Sequence, residues 1–168
     1  MYRAIDVARH IVNYSLESGL GITNLKLQKI LYLTQGTFIA NGNINGCFSD
    51  KIEAWALGPV VPDVYREFKR YAAGTIPEIK TYMIPTNRVW LPKIIKYNDI
   101  VQGSDKELID WTVDKYKDYT ASQLIAETHK QKPWKDNYKK GENKVIPLDS
   151  IRSYFNEHAD EYRFKETG

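Results

Sequence analysis

Apolar residues recur at helical spacing along much of the chain. Ile5, Ala8, Val12 and Leu16 fall on one stripe of a helix over 5–16. Gly19 then stands where a C-terminal cap is expected. Thr23, a good N-cap residue, precedes a second helix with Leu27, Ile30, Leu31, Thr34 and Phe38 at i, i+3, i+4, i+7 and i+11. Leu25 and Leu33 lie off that stripe, so the pattern predicts a central helix packed on more than one side. The run Asn41-Gly42-Asn43-Ile44-Asn45-Gly46 reads as a turn-rich loop.

Ile52 to Leu57 is too short to assign by period. Gly58-Pro59-Val60-Val61-Pro62 cannot be helical throughout, because each proline restricts its own φ and that of the residue before it. Pro62 suits the first position of a third helix, with Asp63 near its positive end and Val64, Tyr65, Phe68, Tyr71 and Ala72 on one face. Ile79–Ile84 and Val89–Ile95 read as short extended segments. Ser104 with Glu107, and Thr120 with Gln123, form capping boxes opening a fourth helix to Tyr116 and a fifth to about His129. A last helix after Asp149 carries Ile151, Tyr154, Phe155, Ala159 and Tyr162. The expected fold is mainly α, five to six helices with at most a small β element, in one α+β-leaning domain over 1–168.

A chain of 168 residues can bury a core without metal or disulfide, and 42% apolar with 27% charged residues is an ordinary globular balance. A single cysteine, Cys47, excludes an internal disulfide and speaks against a Cys-based metal site. No run of ~18 apolar residues exists, and the N-terminus has no apolar stretch like that of a signal peptide. The expectation is a soluble cytoplasmic protein without a membrane partner.

The net charge of +3 is unevenly spread. Residues 51–98 hold eight Lys/Arg against four Asp/Glu, and residues 99–118 hold six acids against three bases. Residues 119–145 are basic again, with Lys130, Lys132, Lys135, Lys139, Lys140 and Lys144 close together. Such blocks either make solvated faces or steer a charged partner. Twelve Tyr and four Trp suit half-buried and interface positions as well as a core.

Sequence-local catalytic signatures are missing. His10, His129 and His158 have no second histidine at i+3 or i+4, and neither phosphate-binding glycine motif nor the G-x-S-x-G elbow occurs. No catalytic, cofactor-binding or metal-ligating residue is therefore nominated, and the chain is read as a non-enzyme without a cofactor. Trp55, ahead of the Gly58–Pro62 bend, either fills the core or anchors an interface. His129 at a helix end, followed by Pro133 and Trp134, is either a cap with its core contact or a partner site. The helix dipole would favour its protonated form. The lysines from Lys130 to Lys144, interleaved with Trp134 and Tyr138, form a solvated loop or hold single-stranded nucleic acid.

Taken in order, four stretches form a pattern: Ala4-Ile5-Asp6-Val7-Ala8, Leu25-Lys26-Leu27-Gln28-Lys29-Ile30-Leu31-Tyr32, Ile52–Trp55 with Gly58–Tyr65, and Thr128-His129 with Pro133-Trp134. The pattern resembles the Panacea antitoxin domain of phage-associated and SocA-like proteins, over about residues 4–155. The resemblance implies a stand-alone, non-enzymatic antitoxin that neutralises a toxin by direct protein binding. The SocA-like branch implies an alternative, an adaptor that delivers its toxin to a ClpXP-type protease. A nucleic-acid regulator using 25–38 as a recognition helix is a third, less favoured reading. The expected partner contacts are Trp55, Pro59, Val60, Pro62 and Tyr65 in the bend, with His129, Lys130 and Trp134.

Overall fold

The computed structural model describes residues 1–84, 86 and 92–164. Helix α1 (Ala4–Glu17) ends as its glycine anticipates, with Gly19 at φ 72 and its N–H donating to the Leu16 carbonyl at 2.9 Å. Helix α2 (Asn24–Ala40) opens on Thr23, whose hydroxyl accepts from the Lys26 N–H at 3.3 Å. The chain then forms β1 (Glu53–Trp55), β2 (Gly58–Val60) and α3 (Pro62–Phe68), the last running into a 3-10 turn over Lys69–Tyr71. Pro62 is the first residue of α3, as its missing N–H allows. The helical face expected to reach Ala72 stops short, because Ala72 takes a positive φ of 48.

Strands β3 (Thr81–Ile84) and β4 (Lys93–Lys96) pair antiparallel, and Val89–Leu91 of the second expected segment lie outside the described residues. Helix α4 (Gly103–Lys115) departs from its expected cap. Its N-cap is Gln102, no side chain caps it, and Ser104 lies inside the first turn. Helix α5 (Ala121–Lys130) does open on the Thr120–Gln123 capping box. Then follow a single turn, α6 (Lys132–Lys135), β5 (Lys144–Val145), α7 (Leu148–Glu157) and α8 (Ala159–Tyr162). The final helix is thus two pieces broken at His158, where φ is -107 and ψ 25. The fold is mainly α with, among the described residues, two small antiparallel sheets, ordered β2-β1-β5 and β3-β4.

Helix α2 is the axis of the molecule. It touches α1, α3, α4, α5, α7, α8 and β2, and every residue from Leu27 to Ala40 is buried. A helix surrounded on all sides has no room for a solvated face, which is why apolar residues fall around its whole circumference. Several of its polar residues find partners inside, although the Thr34 and Thr37 hydroxyls have none among the described residues. Gln35 accepts from the Cys47 and Phe48 N–H groups at 2.8 and 3.1 Å and donates to the Phe48 carbonyl at 3.1 Å. Tyr32 donates to Gln131 Oε1 at 2.8 Å, tying α2 to the end of α5. From Leu27 onward this helix presents no exposed face.

A second polar knot joins α1 to α4. His10, 2% exposed, lies with Nδ1 2.7 Å from Asp99 Oδ2 and Nε2 2.6 Å from Asp110 Oδ1. Burial alone would push its pKa down, but the two carboxylates outweigh that and hold it above the ordinary value.

Candidate docking site around the Trp55 turn

The turn between β1 and β2 is gripped from both sides. From α2, the Lys29 ammonium donates to the Pro59 carbonyl at 2.8 Å. One residue earlier, Gln28 Oε1 accepts from the Val61 N–H at 2.9 Å. Asn24 donates to Gln28's neighbour in the knot, the Tyr65 carbonyl, at 3.1 Å, and accepts from Gln28 Nε2 at 2.9 Å. From the other side, Trp134 of α6 donates its indole N–H to the Trp55 carbonyl at 2.9 Å. Gly58 takes φ 100, and a Cβ there would lie 2.8 Å from Lys29 Cε and 3.0 Å from Thr128 Oγ1. Only glycine lets the strand, the lysine and α5 meet so closely.

The structure brings the two nominated groups of residues together. Pro59, Val60, Pro62 and Trp134 are buried, while Trp55, Tyr65 and His129 are half-buried and Lys130 is exposed. The Trp55 and Tyr65 rings meet edge to face with centroids 4.9 Å apart, and Trp55 donates to the Glu53 carboxylate at 2.8 Å. Leu57, at the tip of the turn, is 54% exposed. Behind it, His129, Trp134 and Tyr138 form a stacked ladder, with successive centroids 3.8 and 4.6 Å apart.

Two titrating groups sit beneath this surface. Lys29 is fully buried, and among the described residues no carboxylate pairs with it. Burial pushes its pKa down to about 7. His129 is pushed down as well, by burial first and then by the Lys29 charge. That reverses the expectation from the helix dipole: the neutral imidazole is favoured. Among the described residues, Lys29 faces the Pro59 carbonyl, Gly58 and Thr128. The group acts as a clamp.

The pH dependence of stability tests that clamp. Between about 7 and the ordinary 10.5, the unfolded chain binds a proton on Lys29 that the folded chain does not. The lysine's contribution therefore grows as pH rises through this window, by up to about 1.4 kcal/mol per pH unit, and is lost as pH falls through the folded value. Urea unfolding of the natural chain and of Lys29→Met at pH 7.0 and 8.5 is expected to show their difference widening by ~1–2 kcal/mol. A constant difference would mean that Lys29 keeps its charge in the folded chain.

The basic segment that follows is partly neutralised. Lys130 pairs with Glu127 at 2.8 Å, and Lys139 and Lys144 both reach Glu142, at 2.5 and 3.2 Å. No periodicity or motif singles out Asn24, Gln28, Lys29 or Gln35 as positioning residues. The available signal is that long polar side chains on a helix buried all round tend to be paired internally.

The family model for the antitoxin SocA-like Panacea domain matches residues 27–135, more than half of the chain, from the first turn of α2 to the end of α6. The chain belongs to this family. A Panacea relative, antitoxin SocA of Caulobacter vibrioides, is 32% identical over 137 residues, covering 76% of this chain and 68% of that protein. No solved structure matches. The matched region contains the Trp55 turn and both of its supports, Lys29 and Trp134. In this Panacea chain the Leu25–Tyr32 stretch works from inside: Gln28, Lys29 and Tyr32 hold loops, and none of the three is exposed.

Proposed function

We propose that this Panacea-domain protein is a non-enzymatic cytoplasmic antitoxin that binds a protein toxin directly and covers its working surface. The observation that carries the reading is the turn bearing Trp55 and Leu57, with Tyr65 of α3 packed on Trp55, which is outward-facing yet locked from behind by Lys29 and Trp134. Aromatic and apolar side chains held in place before contact lose little freedom on binding, and such residues dominate interface energies. Lys130 extends the patch at its rim, while Pro59, Val60, Pro62, His129 and Trp134 set its shape. An interface of ~1,600 Å² centred here is enough to occlude a toxin. Family membership supports the antitoxin role.

The test is co-expression with toxins, followed by gel filtration of the pair that the protein rescues. Rescue is expected with a co-eluting complex and an unchanged toxin half-life. Trp55→Ala combined with Leu57→Asp is expected to weaken that complex at least ~30-fold, the equivalent of one 2 kcal/mol hot spot. Lethality without a complex rejects the reading. A shortened toxin half-life, with protection that vanishes when the ClpXP-type protease is removed, replaces masking with delivery.

A further inference from the structure

The hairpin of β3 and β4 is an arm with a fixed root and an unpartnered surface. Three residues of α1 hold the root. Asn13 accepts from the Ile79 N–H at 2.7 Å and donates to the Ile79 carbonyl at 3.1 Å. The Arg9 guanidinium lies 3.7 Å from the centroid of the Tyr82 ring while pairing with Asp6 at 3.1 Å. His10 grips Asp99, three residues beyond β4, at 2.7 Å. Beyond this root, Met83 and Ile94 are 59% and 69% exposed. They are register partners, so they stand side by side on one face.

Each strand pairs only with the other, so among the described residues both outer edges keep open N–H and C=O groups. Between the arm and the end of α3 runs a cleft of about 340 Å³, whose lining includes Arg9, Phe68, Arg70, Met83 and Ile94. Its lining is nearly balanced, with Arg9 paired to Asp6 and Arg70 offset by Glu67, whereas the arm outside it is basic. Arg70, Lys93 and Lys96 have no carboxylate partner among the described residues, Lys80 is paired with Glu78 at 3.2 Å, and Glu67 is the one acid in the lining. Lysines on an edge can serve only to discourage strand pairing. Here they flank exposed Met and Ile on a rigidly rooted arm, which is a surface built for contact.

We propose that this hairpin and cleft form a second docking surface, for an extended protein segment that alternates apolar and acidic residues. Such a segment adds to a strand edge through its backbone, sets its apolar side chains beside Met83 and Ile94, and turns its carboxylates to the opposite face, which carries Lys93. The open edges favour a polypeptide over a lipid surface or a nucleic acid, neither of which uses them. The surface shares no residue with the Trp55 turn and does not depend on the reading of it.

The test is a random-peptide display selection on the immobilised full chain, followed by fluorescence anisotropy with the enriched peptides. Expected are peptides alternating Leu, Ile, Val or Phe with Asp or Glu. Their affinity should fall at least tenfold in Ile94→Asp and about threefold in Lys93→Gln, and weaken with added salt. Trp55→Ala with Leu57→Asp should leave it unchanged. Ile94 is exposed, so Ile94→Asp should keep its far-UV circular dichroism and unfolding midpoint. The proposal is overturned by peptides without acids, by no enrichment, or by binding that a folded Ile94→Asp retains. It is equally overturned if Ile94→Asp instead abolishes self-association in sedimentation or flotation with anionic vesicles.

Discussion

Gly36→Ala is expected to lower the unfolding free energy by about 3 kcal/mol, although alanine is the better helix former by ~1 kcal/mol. Gly36 lies in the middle of α2 with ordinary helical geometry, so backbone strain is not the cause. The cause is Phe155 of α7. A Cβ at position 36 would sit 2.1 Å from its ring, where ordinary contact needs well over 3 Å. The ring has nowhere to go. It is fully buried and meets Tyr32, Tyr154 and Tyr162 with centroids 5.6, 5.3 and 4.6 Å away. Either α7 lifts away from α2 or the ring leaves its rotamer, and both lose packing. For a chain of this size the midpoint of thermal unfolding should drop by roughly 6–12 °C. A midpoint at or above that of the natural chain would mean that α7 does not press on α2 as described.

Gly58→Ala is expected to cost a similar amount for a different reason, and to damage the Trp55 turn as well as stability. At φ 100 an alanine is strained by roughly 1–3 kcal/mol wherever it points. Its Cβ would also press on Lys29 Cε and Thr128 Oγ1, forcing the ammonium off the Pro59 carbonyl. The two contributions separate in a double-mutant cycle with Lys29→Ala. Backbone strain survives removal of the lysine and the clash does not, so the double variant should cost less than the sum of the singles by about 1 kcal/mol. Additive losses would show that Lys29 does not bear on Gly58.

Features set by neighbouring residues were legible in the sequence. Thr23 caps α2, Gly19 ends α1, Pro62 starts α3, and the Thr120–Gln123 box opens α5, because each needs only residues within one turn. The Ser104–Glu107 pair has the same spelling as a capping box and does not act as one. The helix already begins at Gly103, where φ is 61, so the entry of the chain overrides the local motif. The break at His158 was illegible for a similar reason: Ile151 to Tyr162 keep helical spacing across it.

Long-range pairings were beyond any local pattern. β5 is two residues in a basic loop, and only its register with Glu53 and Ala54 makes it a strand. The His10 knot joins residues 89 and 100 positions away, and Lys29 meets a carbonyl 30 positions away. At the candidate site, the large residues were visible as candidates: Trp55, Tyr65 and Trp134 could be nominated on type alone. The buried Lys29 that orders them could not, since a lysine in a helix ordinarily reads as solvated. The exposed arm of β3 and β4 was legible as two extended runs, but the root that stiffens it comes from Arg9, His10 and Asn13 of α1.

Under the proposed masking, the protein disarms a toxin by occupying it, molecule for molecule. The most direct measurement is a titration of a rescued toxin's activity with the purified protein. Activity should fall linearly to an endpoint at a fixed molar ratio, recover when the complex is dissociated, and leave the toxin's mass unchanged. Loss of activity at a small fraction of one equivalent, with continued turnover and a covalently altered toxin, would contradict it.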